Sequence, residues 1–417
     1  MKITTIFSFS LLLAAVFFIP LTAIAQFTLT GEYRPRTEMS HGYGTLAGEE
    51  QKASLFTSQR TRLNAMFSNE FIRTGLVLQD VRTWGNQAQL VENQDRAVSI
   101  HEGWAEILFT PVWSLKAGRQ ELNYDDHRIF GNVGWTQQAR SHDLFLLKYE
   151  KGIKFHLGIA HHENTNRKNN VYDGPDAYKD MQFAWLNNTW DKGSLSLLFL
   201  NNGIPVMSGG EQEDRYSQTL GGRLTLKTAG NISLASNLYY QTGKDNLNRN
   251  ISALNLLLEF AAKANPTATA TIGYEFLSGN DAGDISKNRA FNPLYGTNHK
   301  FNGFMDYFYV GGQHINGAGL NDLYFKWACN RFKNVQWNLH IHYFGAAAEL
   351  SGDAGKYLGT EADWDLTWSV KPAAKISLGY SHMFAGKSME LVKIGGSTKA
   401  TQHWAYLMIA VTPGFLQ

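Results

Sequence analysis

The sequence has little cysteine, proline and charge. Its only cysteine, Cys329, excludes a disulfide framework and any structural zinc site built from cysteine ligands. Nine prolines leave little room for Pro-rich linkers between domains. Charged residues make up 18% of the chain, and 38 lysines and arginines against 36 acidic residues give a net charge of +2. A generally basic nucleic-acid-binding protein is therefore excluded, and we expect no nucleic-acid partner.

Long hydrophobic runs are absent after the first 25 of the 417 residues. Before that point, Lys2 precedes an almost uncharged segment that ends in an A-x-A pattern, as in a secretory signal peptide with its cleavage site. An N-terminal membrane anchor is the alternative, but Pro20 and the A-x-A pattern favour cleavage. We therefore predict a signal peptide at residues 1–25 and a mature chain, residues 26–417, without helical membrane spans.

Apolar and polar residues alternate along the mature chain, which is rich in aromatic residues (13%) and in glycine (39 residues). Phe27, Leu29 and Tyr33 share one parity, whereas Arg34 and Arg36 share the other. The same alternation recurs at residues 55–67, 153–159, 232–241, 335–343 and 361–368. A period of two is typical of β-strands with one apolar and one polar face. Residues 71–84 mix the parities, and the sequence does not define their register.

About 18 strand candidates recur at a spacing of roughly 10 to 12 residues, which is typical of a transmembrane β-barrel. Short connections alternate with long polar ones, as in outer-membrane barrels of Gram-negative bacteria. The long loops are predicted at residues 37–53, 161–178, 201–217, 279–303, 346–360 and 386–400. We predict an all-β fold, a single transmembrane antiparallel β-barrel of about 18 strands that spans residues 26–417.

Other β architectures agree less well with the sequence. A β-sandwich chain of this length would divide into several domains joined by linkers, and a propeller or β-helix would show a repeated motif at a fixed period. Aromatic residues near predicted strand ends suit the two interfaces of a membrane rich in lipopolysaccharide. Examples are Tyr33, Trp84, Trp190, Trp404 and Tyr406. A barrel also explains the negative mean hydropathy of -0.29, because only its lipid-facing side needs apolar residues.

Arginine is concentrated near the start of the chain, where 10 of the 16 arginines lie before residue 141. They are Arg34, Arg36, Arg60, Arg62, Arg73, Arg82, Arg96, Arg119, Arg128 and Arg140. Those on clean strands have the polar parity, so we expect them to face the lumen, where their planar guanidinium groups suit carboxylates or phosphates. The alternative is that they pair with lumenal acids and stiffen the wall. These acids are Glu32, Glu38, Glu70, Asp80, Glu102 and Glu106.

Neither a metal site nor a catalytic site is predicted. His340 and His342 share the lumenal parity, but no carboxylate is spaced along the sequence to complete a site with them. The Asp- and Gly-rich segment 279–284 lacks the bidentate glutamate of an EF-hand. Ser381 and His382 are adjacent strand residues and point to opposite faces, which argues against a hydrolase site. We expect no cofactor and no enzymatic activity.

The segment 117–143 contains a strand ending in Gly-Arg-Gln, an Asp-Asp-x-Arg motif, a Gly-Asn-x-x-Trp turn and an Arg/Asp pair. Together with the aromatic-rich segments 291–300 and 404–415, it resembles the alginate export family of outer-membrane barrels. The resemblance implies an 18-stranded monomeric barrel whose electropositive lumen passes an anionic polysaccharide. It also implies constriction or lumen-network roles for matching residues. These are Arg119, Asp125, Asp126, Arg128 and Arg140.

The predicted function is passive transport of anionic polysaccharide or oligosaccharide across the outer membrane, with periplasmic export partners. The residues predicted to contact substrate are Arg34, Arg36, Arg60, Arg62, Arg73, Arg82, Arg119, Asp125, Asp126, Arg128 and Arg140. A small-solute uptake porin is the first alternative, and the opening left by loops such as 279–303 distinguishes it. An outer-membrane enzyme or an adhesion scaffold with a blocked lumen is the other alternative.

Overall fold

The computed structural model describes residues 25–90, 98–164, 171–175, 178–228, 230–352 and 354–416. Arg96 and residues 1–24 of the predicted signal peptide lie outside these ranges. Helices among the described residues are single turns, at Asn298–Lys300, Val310–Gly312 and Met389–Val392. In this part of the chain, no helix has the length and the apolar character required to cross a membrane.

Eighteen long antiparallel strands close into a barrel, which confirms the predicted fold class. With two short additional strands, they are β1 (Gln26–His41), β2 (Ser54–Ser68), β3 (Ile72–Thr83), β4 (Ser99–Leu108), β5 (Trp113–Gln120), β6 (His142–Lys151), β7 (Ile153–His161), β8 (Asp180–Trp190), β9 (Gly193–Ser208), β10 (Glu211–Lys227), β11 (Ile232–Lys244), β12 (Asn250–Asn265), β13 (Ala268–Leu277), β14 (Lys287–Asn288), β15 (Leu320–Cys329), β16 (Val335–Gly345), β17 (Tyr357–Lys371), β18 (Ala374–Ala385), β19 (Gln402–Val411) and β20 (Gly414–Leu416).

The barrel closes where β1 pairs with β19, with Thr37 opposite Leu407. The short strand β20 continues this seam along the first half of β1, where Leu416 lies opposite Leu29. Each of the other long strands pairs with its neighbour in the chain, except that β13 pairs with β15 past the short β14. Closure satisfies the strand hydrogen bonds within the protein, as the hydrocarbon region of a membrane requires.

The apolar parity of the strands lies on the outside of the barrel. Phe145 and Ile272 are exposed by 62% and 57%, and Leu63 and Leu238 are also exposed. The opposite parity carries the buried charged side chains, such as Arg34 of β1 and Arg60, which lies opposite it on β2. An outer apolar band around a polar interior is the arrangement of a barrel in a lipid bilayer.

The two ends of the barrel differ in the length of their connections. One end has tight turns, such as Gly152 between β6 and β7, and the other has the long loops, as predicted. The prediction of a long loop at residues 201–217 is wrong. There β9 and β10 continue as strands to a hairpin at Gly209 and Gly210, whose positive φ angles of 59° and 91° suit glycine.

The structure corrects the predicted position of two aromatic residues and defines the strand whose register the sequence left open. Trp404 and Tyr406 do not lie at a membrane interface, because β19 places them opposite Ser40 and Glu38 on the lumenal face of β1. Residues 72–83 form β3, whose register with β2 is continuous, so its side chains alternate regularly between the two faces. The sequence mixes the parities because apolar Val77 is lumenal, opposite Asn64, whereas charged Asp80 and Arg82 share the outward parity.

Candidate functional site in the barrel lumen

The loop between β5 and β6, residues 121–141, folds into the lumen and lies against the arginines of β1. We call it the first inner loop. Arg34 donates from Nη1 to the Gly134 carbonyl at 2.8 Å and from Nη2 to the Thr136 carbonyl at 2.8 Å. Arg36 donates from Nη1 to the Trp135 carbonyl at 2.8 Å. These guanidinium groups therefore bind backbone oxygens of the protein itself.

The arginines of β1 and β2 also pair with acidic residues of the lumen. Arg60 Nη2 lies 2.7 Å from Glu32, and Arg36 Nε lies 2.9 Å from Glu38. Looser pairs join Arg62 to Glu121 and Arg73 to Glu106, each at 3.7 Å. The geometry agrees with the wall-stiffening interpretation of these arginines, because their charges are balanced within the protein.

A second inner loop, residues 278–319, enters the lumen between β13 and β15 and meets the first. The Gly131 N–H donates to the Tyr295 carbonyl, and the Thr297 N–H donates to the His127 carbonyl, both at 2.9 Å. The rings of Trp135 and His299 stack with centroids 4.5 Å apart. The two loops thus form one packed unit inside the barrel, and most of the buried aromatic core belongs to it or contacts it.

Asp125 and Asp126 attach the first inner loop to the opposite wall. The indole N–H of Trp185 donates to Asp125 at 3.2 Å, and burial raises the pKa of the Asp125 carboxyl group. Asp126 Oδ2 accepts from Arg223 at 2.6 Å and from Asn237 at 2.7 Å. Sequence reasoning missed Arg223, although it has the lumenal parity of β10.

Arg82 and Arg119 lie on the outer face, so the prediction that they line the lumen was wrong. Arg82 is opposite Gln59 and pairs with Asp80 at 2.7 Å, in the register of the outward-facing residues of β2. Arg119 is opposite Asp143 and pairs with it at 2.7 Å, one residue out of phase with the lumenal positions of β5. A shift of one residue moves a strand side chain to the other face.

Four cations of the lumen form no ion pair with a carboxylate among the described residues. Arg140 Nη1 donates to the Gly296 carbonyl at 3.2 Å, and Lys300 Nζ donates to the Asp126 carbonyl at 3.0 Å. Lys116 and Lys326 lie over the rings of Trp104 and Tyr324. Burial lowers the pKa values of Arg140 and Lys300. Sequence reasoning missed the three lysines, yet strand parity identifies Lys116 and Lys326 as lumenal.

A cavity of about 230 Å³ lies beneath the second inner loop, and Lys300 and Lys326 face it. Its charged lining consists of Asp126, Arg223, Glu259, Glu275, Lys300, Asp322 and Lys326. Four acidic and three basic side chains line the cavity, so its lining has a mixed charge. Such a lining binds a charged solute weakly enough to release it.

One family model matches nearly the whole chain. The family model described as alginate export matches residues 25–399, which include both inner loops and every predicted site residue. The chain belongs to the alginate export family. Its family and its fold are those of outer-membrane channels, and its location is the outer membrane. No match was found among proteins of curated function.

Solved structures with a similar fold include three outer-membrane proteins of Pseudomonas aeruginosa. OpdQ is 13% identical with a TM-score of 0.59, and the match covers 94% of this alginate export family member and 99% of OpdQ. OpdL is 11% identical with a TM-score of 0.60 and the same coverage. OpdK with vanillate is 11% identical with a TM-score of 0.59, covering 93% and 99%. At these identities the likeness concerns the fold alone.

Proposed function

We propose that the protein is a passive channel for an anionic polysaccharide or oligosaccharide such as alginate. The observation that carries this proposal is the group of four lumenal cations without a carboxylate partner. They are Lys116, Arg140, Lys300 and Lys326. A fixed cation without its own counter-ion lowers the cost of placing a carboxylate in a narrow, partly desolvated lumen. Membership in the alginate export family supports the same class of substrate.

The remaining predicted arginines have a supporting part in this proposal. Arg34, Arg36 and Arg60 hold the first inner loop against the wall, and the loop positions Arg140 beside the second inner loop. Acidic groups such as Glu259 lie close to the cations and keep substrate binding weak. Transport then follows the concentration gradient, and no bond is made or broken.

Uptake of a small carboxylate solute is a second candidate function. Its specific support is the contact between the two inner loops across the lumen, which narrows the path. One of the solved structures of similar fold is that of OpdK with vanillate, a small carboxylate. The two functions differ in the size of solute that the lumen accepts.

Conductance in planar lipid bilayers tests both functions. We expect anion-selective channels whose current is blocked by alginate oligomers, with residence times that increase with chain length. Block by monomeric carboxylates alone would favour the uptake function. A silent barrel or a cation-selective channel would contradict both.

We also propose that residues 1–25 are removed on export and that the outer apolar band contacts phospholipid and lipopolysaccharide. Periplasmic export partners would deliver the polymer to the tight-turn end. Mass spectrometry of the protein purified from outer membranes tests the cleavage, because the mature chain should begin at Gln26. Retention of the first 25 residues would contradict it.

A further inference from the structure

Strand register brings two histidines and a carboxylate together on the lumenal wall. His340 of β16 lies opposite Asp363 of β17, and His342 lies opposite Glu361. The nearest ligand atoms of His340, His342 and Asp363 all lie within 4.8 Å of one another. The sequence indicated that no carboxylate could complete a site with the two histidines. That expectation was wrong, because the neighbouring strand supplies the carboxylate.

The facing polar atoms of this cluster have no protein partner. His342 is 0% exposed and Asp363 is 1% exposed. His342 Nε2 and both carboxylate oxygens of Asp363 form no hydrogen bond, although Glu361, Ser381 and the backbone of Phe304 lie near Asp363. Buried polar atoms are almost always paired, and an unpaired one destabilises the folded protein. Three such atoms converging on one point indicate a ligand that pairs with all of them.

His342 is already oriented for metal binding by a carboxylate behind it. Its Nδ1 lies 2.9 Å from both oxygens of Asp322. A carboxylate at this position accepts, so Nδ1 carries the hydrogen and the lone pair of Nε2 points toward His340 and Asp363. Asn302 in turn donates to Asp322 at 3.1 Å. Histidine ligands of metal ions are held by carboxylates in this way.

Two buried acids on β17 favour a cation at this cluster, and Lys326 lies opposite His340 on its other side, on β15. Glu361 is 0% exposed and lies beside Asp363 on the same face of β17. Its Oε1 accepts from the Met305 N–H at 2.8 Å, and its Oε2 has no partner. Among the described residues, neither acid forms an ion pair with lysine or arginine. Two buried carboxylates without a counter-charge are strongly destabilising, and a divalent cation bound to Asp363 and the histidines would offset this charge.

A second cluster, of one histidine and two carboxylates, provides a comparison. His101, Glu102 and Glu121 also bring their ligand atoms within 4.8 Å of one another. There, however, His101 Nε2 lies 2.8 Å from Glu121, which also accepts from Asn132 at 2.6 Å and pairs with Arg62. These groups already satisfy one another, so proximity alone does not distinguish the two clusters.

We propose that His340, His342 and Asp363 bind a divalent transition-metal ion, for which Zn²⁺ is the best-suited probe. Imidazole nitrogen and carboxylate oxygen are common zinc ligands, and Zn²⁺ is usually four-coordinate. Three protein ligands would leave one position of a four-coordinate ion for a water molecule. The second inner loop covers the site, with the Phe304 ring 5.0 Å from that of His340. The ion joins β16 to β17 beneath this loop.

The test uses the purified full-length barrel in detergent, freed of metal with EDTA and then titrated with Zn²⁺ in a calorimeter. We expect one tight site per chain, and loss of that site in His342→Gln and in Asp363→Asn. Asp322→Asn, which removes only the orienting carboxylate, should weaken binding by about 10- to 100-fold. His101→Gln in the comparison cluster should leave binding unchanged. Heat-modifiable mobility on gels establishes that each variant is folded.

Co²⁺ titration of the unmodified barrel gives a readout that does not depend on the folding of a variant. Visible absorption bands of tetrahedral, histidine-ligated Co²⁺ are expected, and Zn²⁺ should displace them. Absence of these bands would overturn the proposal. Zn²⁺ affinity that is equal in the unmodified barrel and in folded Asp363→Asn would overturn it too, as would loss of binding in His101→Gln alone.

Discussion

Arg128 of the first inner loop and Glu275 of β13 form a bidentate ion pair inside the barrel. Arg128 Nε lies 2.8 Å from Glu275 Oε1, and Nη2 contacts Oε2. The side chains are 0% and 1% exposed, and Arg128 also donates to Asn302 and stacks on Phe301. A residue that the sequence suggested for substrate contact thus fixes one inner loop to the wall and to the other inner loop.

Removal of one partner of this pair should destabilise the protein strongly. Glu275→Gln leaves the Arg128 charge buried without a counter-ion, so we expect a loss of about 3 to 5 kcal/mol in the free energy of unfolding. Denaturant unfolding in detergent micelles measures this. The matched control is Asp143→Asn, which breaks the exposed pair with Arg119 and should cost about 0 to 1 kcal/mol. Equal losses in the two variants would show that burial does not determine the strength of these pairs.

Loss of the Arg34 side chain should release the first inner loop. Arg34→Ala removes the hydrogen bonds to Gly134 and Thr136, each worth about 1.5 to 3 kcal/mol because the donor is charged. Faster amide exchange at residues 130–140 and a larger single-channel conductance should follow. Arg82→Ala removes an equal charge from the outer face and serves as the control. Unchanged exchange in Arg34→Ala would mean that other contacts suffice to hold the loop.

Ion selectivity should depend on arginines of the lumen and not on those of the outer face. Arg60→Ala combined with Arg62→Ala removes the ion pairs of these arginines with Glu32 and Glu121 and two positive charges from the lumen, so the anion preference should fall. Reversal potentials in a salt gradient measure this preference. The control combines Arg82→Ala with Arg119→Ala, which removes the same charge outside the barrel. A similar shift in both double variants would contradict the lumenal explanation.

The second inner loop should loosen in acid. Burial lowers the pKa of His314 to about 4, and its Nε2 lies 2.8 Å from the Gly319 carbonyl, with Lys393 nearby. An unfolded loop takes up a proton near pH 6.5, whereas the folded loop does so only near pH 4. The free energy of loop opening should therefore decrease as pH falls from 6.5 to about 4 and then level off.

Amide exchange of residues 308–319 at several pH values, corrected for the intrinsic pH dependence of exchange, measures this effect. His314→Gln keeps a hydrogen-bond donor and removes the titration, so its loop stability should be flat over the same range. An identical slope in the variant would assign the pH dependence to another group.

Several features of the fold could be predicted from the sequence because strand geometry is local. A period of two places side chains on alternate faces whatever the partner strand, so the apolar outer band and the polar lumen follow from residues such as Leu63 and Arg62. The same rule failed where a charged residue lies on the outward parity of its strand. The outward Arg82 and Arg119 are the two clearest cases.

The functional interpretation of the arginines could not be completed from the sequence, because it depends on contacts between distant segments. Arg34 and the Gly134 carbonyl are separated by 100 residues, and Arg128 and Glu275 by 147. Only the closed barrel brings the two inner loops into the space that these arginines line. The cations without carboxylate partners can therefore be identified only from the structure, which shows the partners of the other lumenal charges.

The sequence by itself determined the class of protein: an exported β-barrel whose composition suits a membrane, with a motif at residues 117–143 that identifies the family. The tertiary structure decided which charges are balanced within the protein and which face the lumen unpaired. It also decided that Asp363 joins His340 and His342, since the register between two strands is a property of the closed sheet. Local alternation specifies a face, but only strand pairing specifies the neighbour on that face.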